Sequence, residues 1–416
     1  MKRLLNLIVL FFAAGLFVFL EQNDIFAQSD INLWHSFRPE EEKVLSYLIK
    51  KYELINGDNS VKIKRIDPDS FTSVIENNYN KDNGPDIFIW AHDRLGDWAE
   101  KKITVPIDDF ADFKVLSEYI KSSINALTYK NKLYGLPFGV ECAALFYNKK
   151  YITAPPRSFD EMIKISESFI RSGKERYGLL YPYDDYYFHS VLLSGCGGKT
   201  FDLENNYNLD TPEMLKSLET SVELFKRKII PVVPEGKTLW DYQLSLFNGG
   251  KLLFLISGPW IIGSLKNVDW GVAVLPKFDD KNYMSPFLGV KGIFVTGKKR
   301  GNSHVKKILK IMEFLTSGES GAIMGKMTGY LPANIYAYND DVLKDNECAL
   351  IFRDQAVKSV PMPNIASMSI IWNIMNNKSA VELGILRRCQ TGQISPESAL
   401  KIAKEQFYHS LKKEGK

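Results

Sequence analysis

The chain has 416 residues, 45% of them hydrophobic, 25% charged and 12% aromatic. That is the composition of a folded protein of two or three domains and excludes a disordered chain. Its 53 basic and 49 acidic residues nearly balance, and no long run of lysine and arginine occurs, so a nucleic-acid partner is not expected.

At the N-terminus, Lys2 and Arg3 precede an apolar run from Leu4 to Leu20 that only Asn6 interrupts, and Ala27 suits a peptidase site. This predicts an export signal over residues 1–27, with Gln28 as the first mature residue and an exported, periplasmic location. The run is slightly long for a signal core and slightly short for a spanning helix, so an uncleaved anchor is the alternative. No cysteine lies nearby, which argues against a lipid anchor.

Strands and helices then alternate. "DINLWH" reads as a strand, and "PEEEKVLSYLIKKYELINGD" reads as a helix with Val44, Leu45, Leu48, Tyr52 and Ile55 on one face. Pro39 starts that helix, acidic residues fill its first turn, and Asn56-Gly57 ends it. "VKIKRI" alternates as a strand should. "DIFIW" is a continuous apolar run, as in a strand covered on both faces. This order predicts an α/β sheet flanked by helices.

Beyond Gly135 the pattern recurs. "AALFYN", "LLFLI", "WGVAVL" and "GIFVTG" read as strands. Ser158 with Glu161 forms a capping box, Thr211-Pro212 opens another helix, and Ser395-Pro396 opens the last one. The expectation is two α/β lobes of similar size. No repeat and no heptad pattern is visible, and the mature chain is expected to be a monomer. Cys142, Cys196, Cys348 and Cys389 are spaced neither as a disulfide framework nor as zinc ligands. Buried free thiols are the expectation, with pairing left open.

Enzyme signatures are sparse. "GCGGKT" at 195–200 lacks the first glycine of a phosphate loop, since Leu193 stands there. The five histidines are scattered, so neither a metal nor a cofactor is expected. A glycosidase would need facing carboxylates, for which Glu141 with Asp93 or Asp185 are the candidates.

Another arrangement recurs instead. Trp90 adjoins Asp93 and Arg94, Tyr187 follows Asp185, Trp260 ends "LISGPW", and Trp372 lies in "SMSIIWNIM". An aromatic ring beside a charged planar group suits a sugar: the C–H face packs on the ring and the charged groups take the hydroxyls. Singly, a strand-edge tryptophan is more often core, and Arg94 could pair with an acid on its own helical turn. Rings and carboxylates also hold polyamines.

Resemblance decides among these readings. "GPDIFIWAHDRLGDWA", "YGLPFGVECAALFYNKKYI", "FNGGKLLFLISGPW", "WGVAVLPKF", "PFLGVKG" and "MPNIASMSIIW" resemble, in this order and over the whole mature chain, the family 1 extracellular solute-binding proteins of ABC sugar importers, in particular their maltodextrin-binding members. The resemblance implies a two-lobed periplasmic-binding-protein fold with the ligand cleft between lobes. Lobe 1 would hold 28–140 and 289–336, and lobe 2 would hold 141–288 and 337–416. Trp90, Asp93 and Arg94 would bind sugar from the first lobe, and Glu141, Asp185 and Tyr187 from the second, with Trp260 and Trp372 as stacking platforms. The partners implied are an oligosaccharide and an ABC membrane permease, with no catalysis. Two positions depart from the family. Arg38-Pro39 stands near an Asp-Lys pair, and Asn376 stands where the family has arginine. Both change how hydroxyls are read, so the sugar is expected to differ from maltose.

Overall fold

The computed structural model describes residues 30–57, 60–109, 113–234, 236–376 and 383–413. The leader expected over 1–27 lies outside them. No helix among the described residues is long and apolar enough to cross a membrane.

Two sheets organise the chain. Strands β1 (Ile31–His35), β2 (Val61–Arg65) and β3 (Ile87–Ala91) are parallel in the order β2-β1-β3, with Leu33 beside both Ile63 and Ile87. Their carboxyl ends therefore share one edge, where ligands of α/β sheets bind. Strand β4 (Gly135–Glu141) leaves this sheet, and β5 (Ala144–Asn148) begins the second one three residues later. The second sheet adds β6 (Tyr177–Leu180), β7 (Leu252–Ser257) and β8 (Trp270–Ala273) in the order β8-β5-β7-β6. Strand β9 (Phe287–Val295) then returns to the first sheet, antiparallel to both β3 and β4. The short β10 (Val360–Pro361) runs parallel to the start of β9.

Helix α1 (Pro39–Asn56) forms as its spacing predicts, except that Ile55, expected on the apolar face, is exposed in the last turn before Gly57. It buries Val44, Leu45, Leu48, Ile49 and Tyr52 and stops at Gly57, whose φ of 66° suits glycine. It packs with α6 (Asn302–Leu315), where Tyr52 meets Phe314 at 5.3 Å. In the second half, α2 (Phe159–Arg171) is capped by Ser158, α4 (Pro212–Lys226) by Thr211, and α5 (Leu239–Asn248) by Thr238. A separate core joins α3 (Tyr186–Gly195) and α4 to α7 (Met368–Met375), α8 (Ile385–Gln390) and α9 (Pro396–Lys413) through Tyr186, Leu218, Ile371, Leu386 and Phe407. Tyr187 and Trp372 pack against this core from its edge. All four cysteines are free.

Candidate functional site

Strand β3 ends at Ala91, and the single 3-10 turn His92–Arg94 carries the next three side chains to the sheet edge. His92 is fully buried. Its Nδ1 accepts from the Val290 N–H at 3.1 Å, which leaves the Nε2–H to donate to the Met362 carbonyl at 2.9 Å. Burial holds its pKa below the ordinary range, so the neutral ring pins the turn to β9. Asp93 and Arg94 then line a cavity of about 200 Å³ together with Asp97, Ile365, Ser369 and Trp372. Asp93 Oδ1 is buried with no hydrogen-bond partner among the described residues. A buried polar atom left unpaired costs free energy that a ligand can recover. Trp90 lines neither this cavity nor the next one. Its half-buried ring lies stacked on Phe71, with centroids 4.2 Å apart and planes 5° apart.

A larger cavity of about 530 Å³ draws its walls from both halves of the molecule. Ser36, Arg38, Glu41, Lys291 and Tyr330 come from the side of the first sheet, and Pro259, Trp260 and Ile262 come from the end of β7. Glu141 enters at the last position of β4, opposite Gly289. A Cβ at 289 would lie 2.8 Å from the Glu141 Cγ, so glycine makes room for that side chain. Trp260 follows Gly258-Pro259 directly off the buried β7 and is 41% exposed. It is a wall of the cavity, not a core residue.

Rings connect the two cavities. Tyr187 stands 6.4 Å from Trp260 and 6.2 Å from Phe287, which stands 6.2 Å from Trp372. The Tyr187 hydroxyl donates to the Phe287 carbonyl at 3.2 Å. Burial, and then the nearby Glu141 charge, push its pKa well above the ordinary phenol range, so it stays a donor.

Asp185 and Asn376 meet each other. Asp185 caps α3, accepting from the Tyr187 N–H at 2.9 Å and from the Asn376 side-chain amide at 3.1 Å. The Asn376 Oδ1 accepts from the Tyr186 N–H at 2.7 Å. Burial raises the Asp185 pKa, and these donors oppose that shift. The arginine-to-asparagine departure thus ties the end of α7 to the start of α3. Arg38 is similarly engaged: its guanidinium donates to the Glu41 carboxylate at 2.8 Å and its backbone N–H to the same group at 2.9 Å, at the start of α1.

Sequence reasoning did not single out Lys291, Tyr330, Glu41 or Ser36. One signal was present: Lys291 is a lone charge inside the apolar strand "FLGVKGIFV".

Paired walls on two sheets, joined by crossing strands, with indoles and charged groups at the mouth, define a receptor that encloses a solute. The chain belongs to the bacterial extracellular solute-binding protein family, whose pattern matches residues 48–349. It is 31% identical over 82% of its length to a maltotriose-binding protein of Pyrococcus abyssi, covering 74% of that protein. It is 28% identical over 77% of its length to a galactooligosaccharide-binding protein of Bacillus subtilis, covering 76%. Among solved structures, a cyclo/maltodextrin-binding protein complexed with maltotetraose superposes with a TM-score of 0.82 at 27% identity, over 92% of this chain and 97% of that one. An extracellular solute-binding protein from Staphylococcus aureus in complex with maltose gives 0.80 at 25% identity, over 92% and 98%.

Proposed function

We propose that this protein is the exported receptor of an ABC importer. It captures a linear oligosaccharide, of the α-linked glucose type, and presents it to a membrane permease. The observation that carries this reading is the cavity walled by Trp260 on one side and by Arg38, Lys291 and Tyr330 on the other, with Glu141 between them. An apolar plate facing charged hydrogen-bonding groups matches the two sides of a pyranose ring. The volume of about 530 Å³ falls within the range of small-molecule sites.

In this reading Trp260 and Trp372 are stacking platforms. Asp93, Arg94 and Glu141 face hydroxyls, Tyr187 backs the Trp260 wall with its own hydroxyl given to the Phe287 carbonyl, Trp90 supports the first-lobe wall from its stack on Phe71, and Asp185 with Asn376 holds α3 in place. The lobes divide near residues 140, 288 and 336 and close by a hinge on the solute. The mature protein acts as a periplasmic monomer after loss of residues 1–27. Membership of a solute-binding family, together with the commitment of Asp185 to capping α3, speaks against the glycosidase reading.

Isothermal calorimetry against maltose, maltotriose, maltotetraose, trehalose and a β-galactooligosaccharide tests the proposal. Tight binding of an α-glucan, with a raised melting temperature, is the expected result. Preference for the galactoside would reassign the sugar. Silence with every carbohydrate would refute the receptor reading.

A further inference from the structure

Lysine is unusual in the middle of a strand that buries eight of its nine residues, and Lys291 is the one residue of β9 that stays partly open. In register it lies opposite Ala91 of β3 and Gly139 of β4, on the same face as Glu141. Its ammonium sits 5.3 Å from the Tyr330 ring centroid and 5.7 Å from that of Phe37. The Tyr330 ring lies against the backbone of Gly139, where a Cβ would come within 1.9 Å of its Cε1. The strand therefore carries a cation flanked by two rings, on the floor of the cavity that Trp260 walls from the other sheet.

The other cation of that cavity already has a carboxylate partner. Arg38 is held by Glu41 through both its Nε and its Nη2. Lys291 makes no direct ion pair among the described residues, although its charge helps hold the buried Glu41 ionised from a distance, and rings accept hydrogen bonds only weakly. It retains donors for a solute. Two residues along the paired strands, about 7 Å away at the backbone, Glu141 offers acceptors on the same face. A sugar hydroxyl both donates and accepts, so it can bridge a carboxylate and an ammonium at that spacing.

We propose that Lys291 is a specificity-determining residue. It donates to a hydroxyl of the sugar unit that stacks on Trp260, and with Glu141 it supplies the charged pair that Arg38-Pro39 does not. The inference rests on the receptor reading and adds to it the contact that selects among sugars. Because Lys291 stands on a crossing strand, it belongs to the part of the site that is present before the halves close.

The test uses the mature protein, with Lys291→Met, which keeps the stem and removes the charge, and Lys291→Arg. Calorimetry with maltotriose is expected to show binding weakened 10- to 100-fold in Lys291→Met and largely kept in Lys291→Arg, at an unchanged unfolding midpoint. A series of monodeoxy maltotrioses supplies a readout that packing alone does not move. One hydroxyl deletion should weaken the wild type at least tenfold and be silent in Lys291→Met. Lys291→Gln repeats the comparison should the methionine variant not fold. Equal affinity of wild type and the folded neutral variant, or deoxy penalties that persist in it, would overturn the inference while leaving the receptor reading intact. A wild type silent with maltotriose and every other oligosaccharide would overturn both, before any variant is made.

Discussion

Gly258 offers a way to move the Trp260 platform without deleting it. A Cβ at 258 would lie 2.0 Å from the Trp260 Cζ3 and 2.2 Å from its Cη2, whereas ordinary contact begins at 3.4 Å. Gly258→Ala must therefore displace the ring by about 1.4 Å. The backbone itself is not strained, because Gly258 has φ −96° and ψ −179°, which alanine adopts freely. The indole is 41% exposed and can swing toward solvent, so folding stability should change by less than about 1 kcal/mol. Binding should suffer more. A pyranose face covering about 60–80 Å² of ring at about 25 cal/mol/Å² contributes about 1.5–2 kcal/mol. Losing that contact weakens binding about 10- to 30-fold. Calorimetry with the best-bound oligosaccharide and urea denaturation of the same preparations read both quantities. A variant that binds within twofold of wild type would refute the platform role of Trp260. So would one that melts far earlier while its folded fraction binds normally.

The pH dependence has a definite sign. His35, His92 and His189 are all fully buried, and burial lowers their pKa values, to about 4 for His35 and about 3 for His189. The native state refuses protons that the unfolded chain takes up near pH 6.5, so their contribution to stability is complete above that pH and lost as pH falls below it. Urea titrations at pH 7.5 and 5.5 should differ by about 1 kcal/mol for each of His35 and His189, with His92 acting in the same direction, and a flat profile would contradict the neutral assignment. Asn376→Ala leaves the Tyr186 N–H unpaired and removes one donor from Asp185, and should cost about 1–3 kcal/mol of stability by urea denaturation. Trp90→Ala should destabilise the fold more than Trp260→Ala, because its ring is stacked on the fully buried Phe71; comparison of the two melting temperatures checks this. In a thiol-reagent assay of the native protein the half-buried Cys348 should react first but slowly, because burial and then the Glu347 charge push its thiol up to about 11, with Cys142, Cys196 and Cys389 following on denaturation.

Much of the architecture was legible because its signals are local. The apolar run of β3, the helical spacing of α1 and the caps at Ser158 and Thr211 each act within a few residues. The position of Trp260 at a cavity wall followed from Gly258-Pro259 turning the chain off a buried strand. What stayed hidden depends on contacts between distant parts of the chain. Asp185 and Asn376 meet across 191 positions, and nothing near either residue announces the other. Arg38 stood out as a substitution in the resemblance, whereas its pairing with Glu41, three residues on, is a local contact that the sequence reading passed over. Lys291 gave a weak signal as a lone charge among apolar neighbours, and its meaning depends on Tyr330 and Phe37 arriving from other elements.

Strands β4 and β9 lie side by side in the first sheet, paired from Gly135–Phe294 to Glu141–Gly289 with one irregularity between Lys291 and Gly292, and the chain leaves for the second sheet from the end of β4 and returns at the start of β9. Two strands so joined cannot slide, since a shift of one residue would break each rung and turn every side chain to the opposite face. They can still bend and twist, as sheets do. The connection thus behaves as a leaf spring, not as a tether: stiff against stretch and shear, soft about one axis. In the hinge closure proposed above, such a joint favours bending over sliding and would keep the approach of the Trp260 wall to a solute near one path.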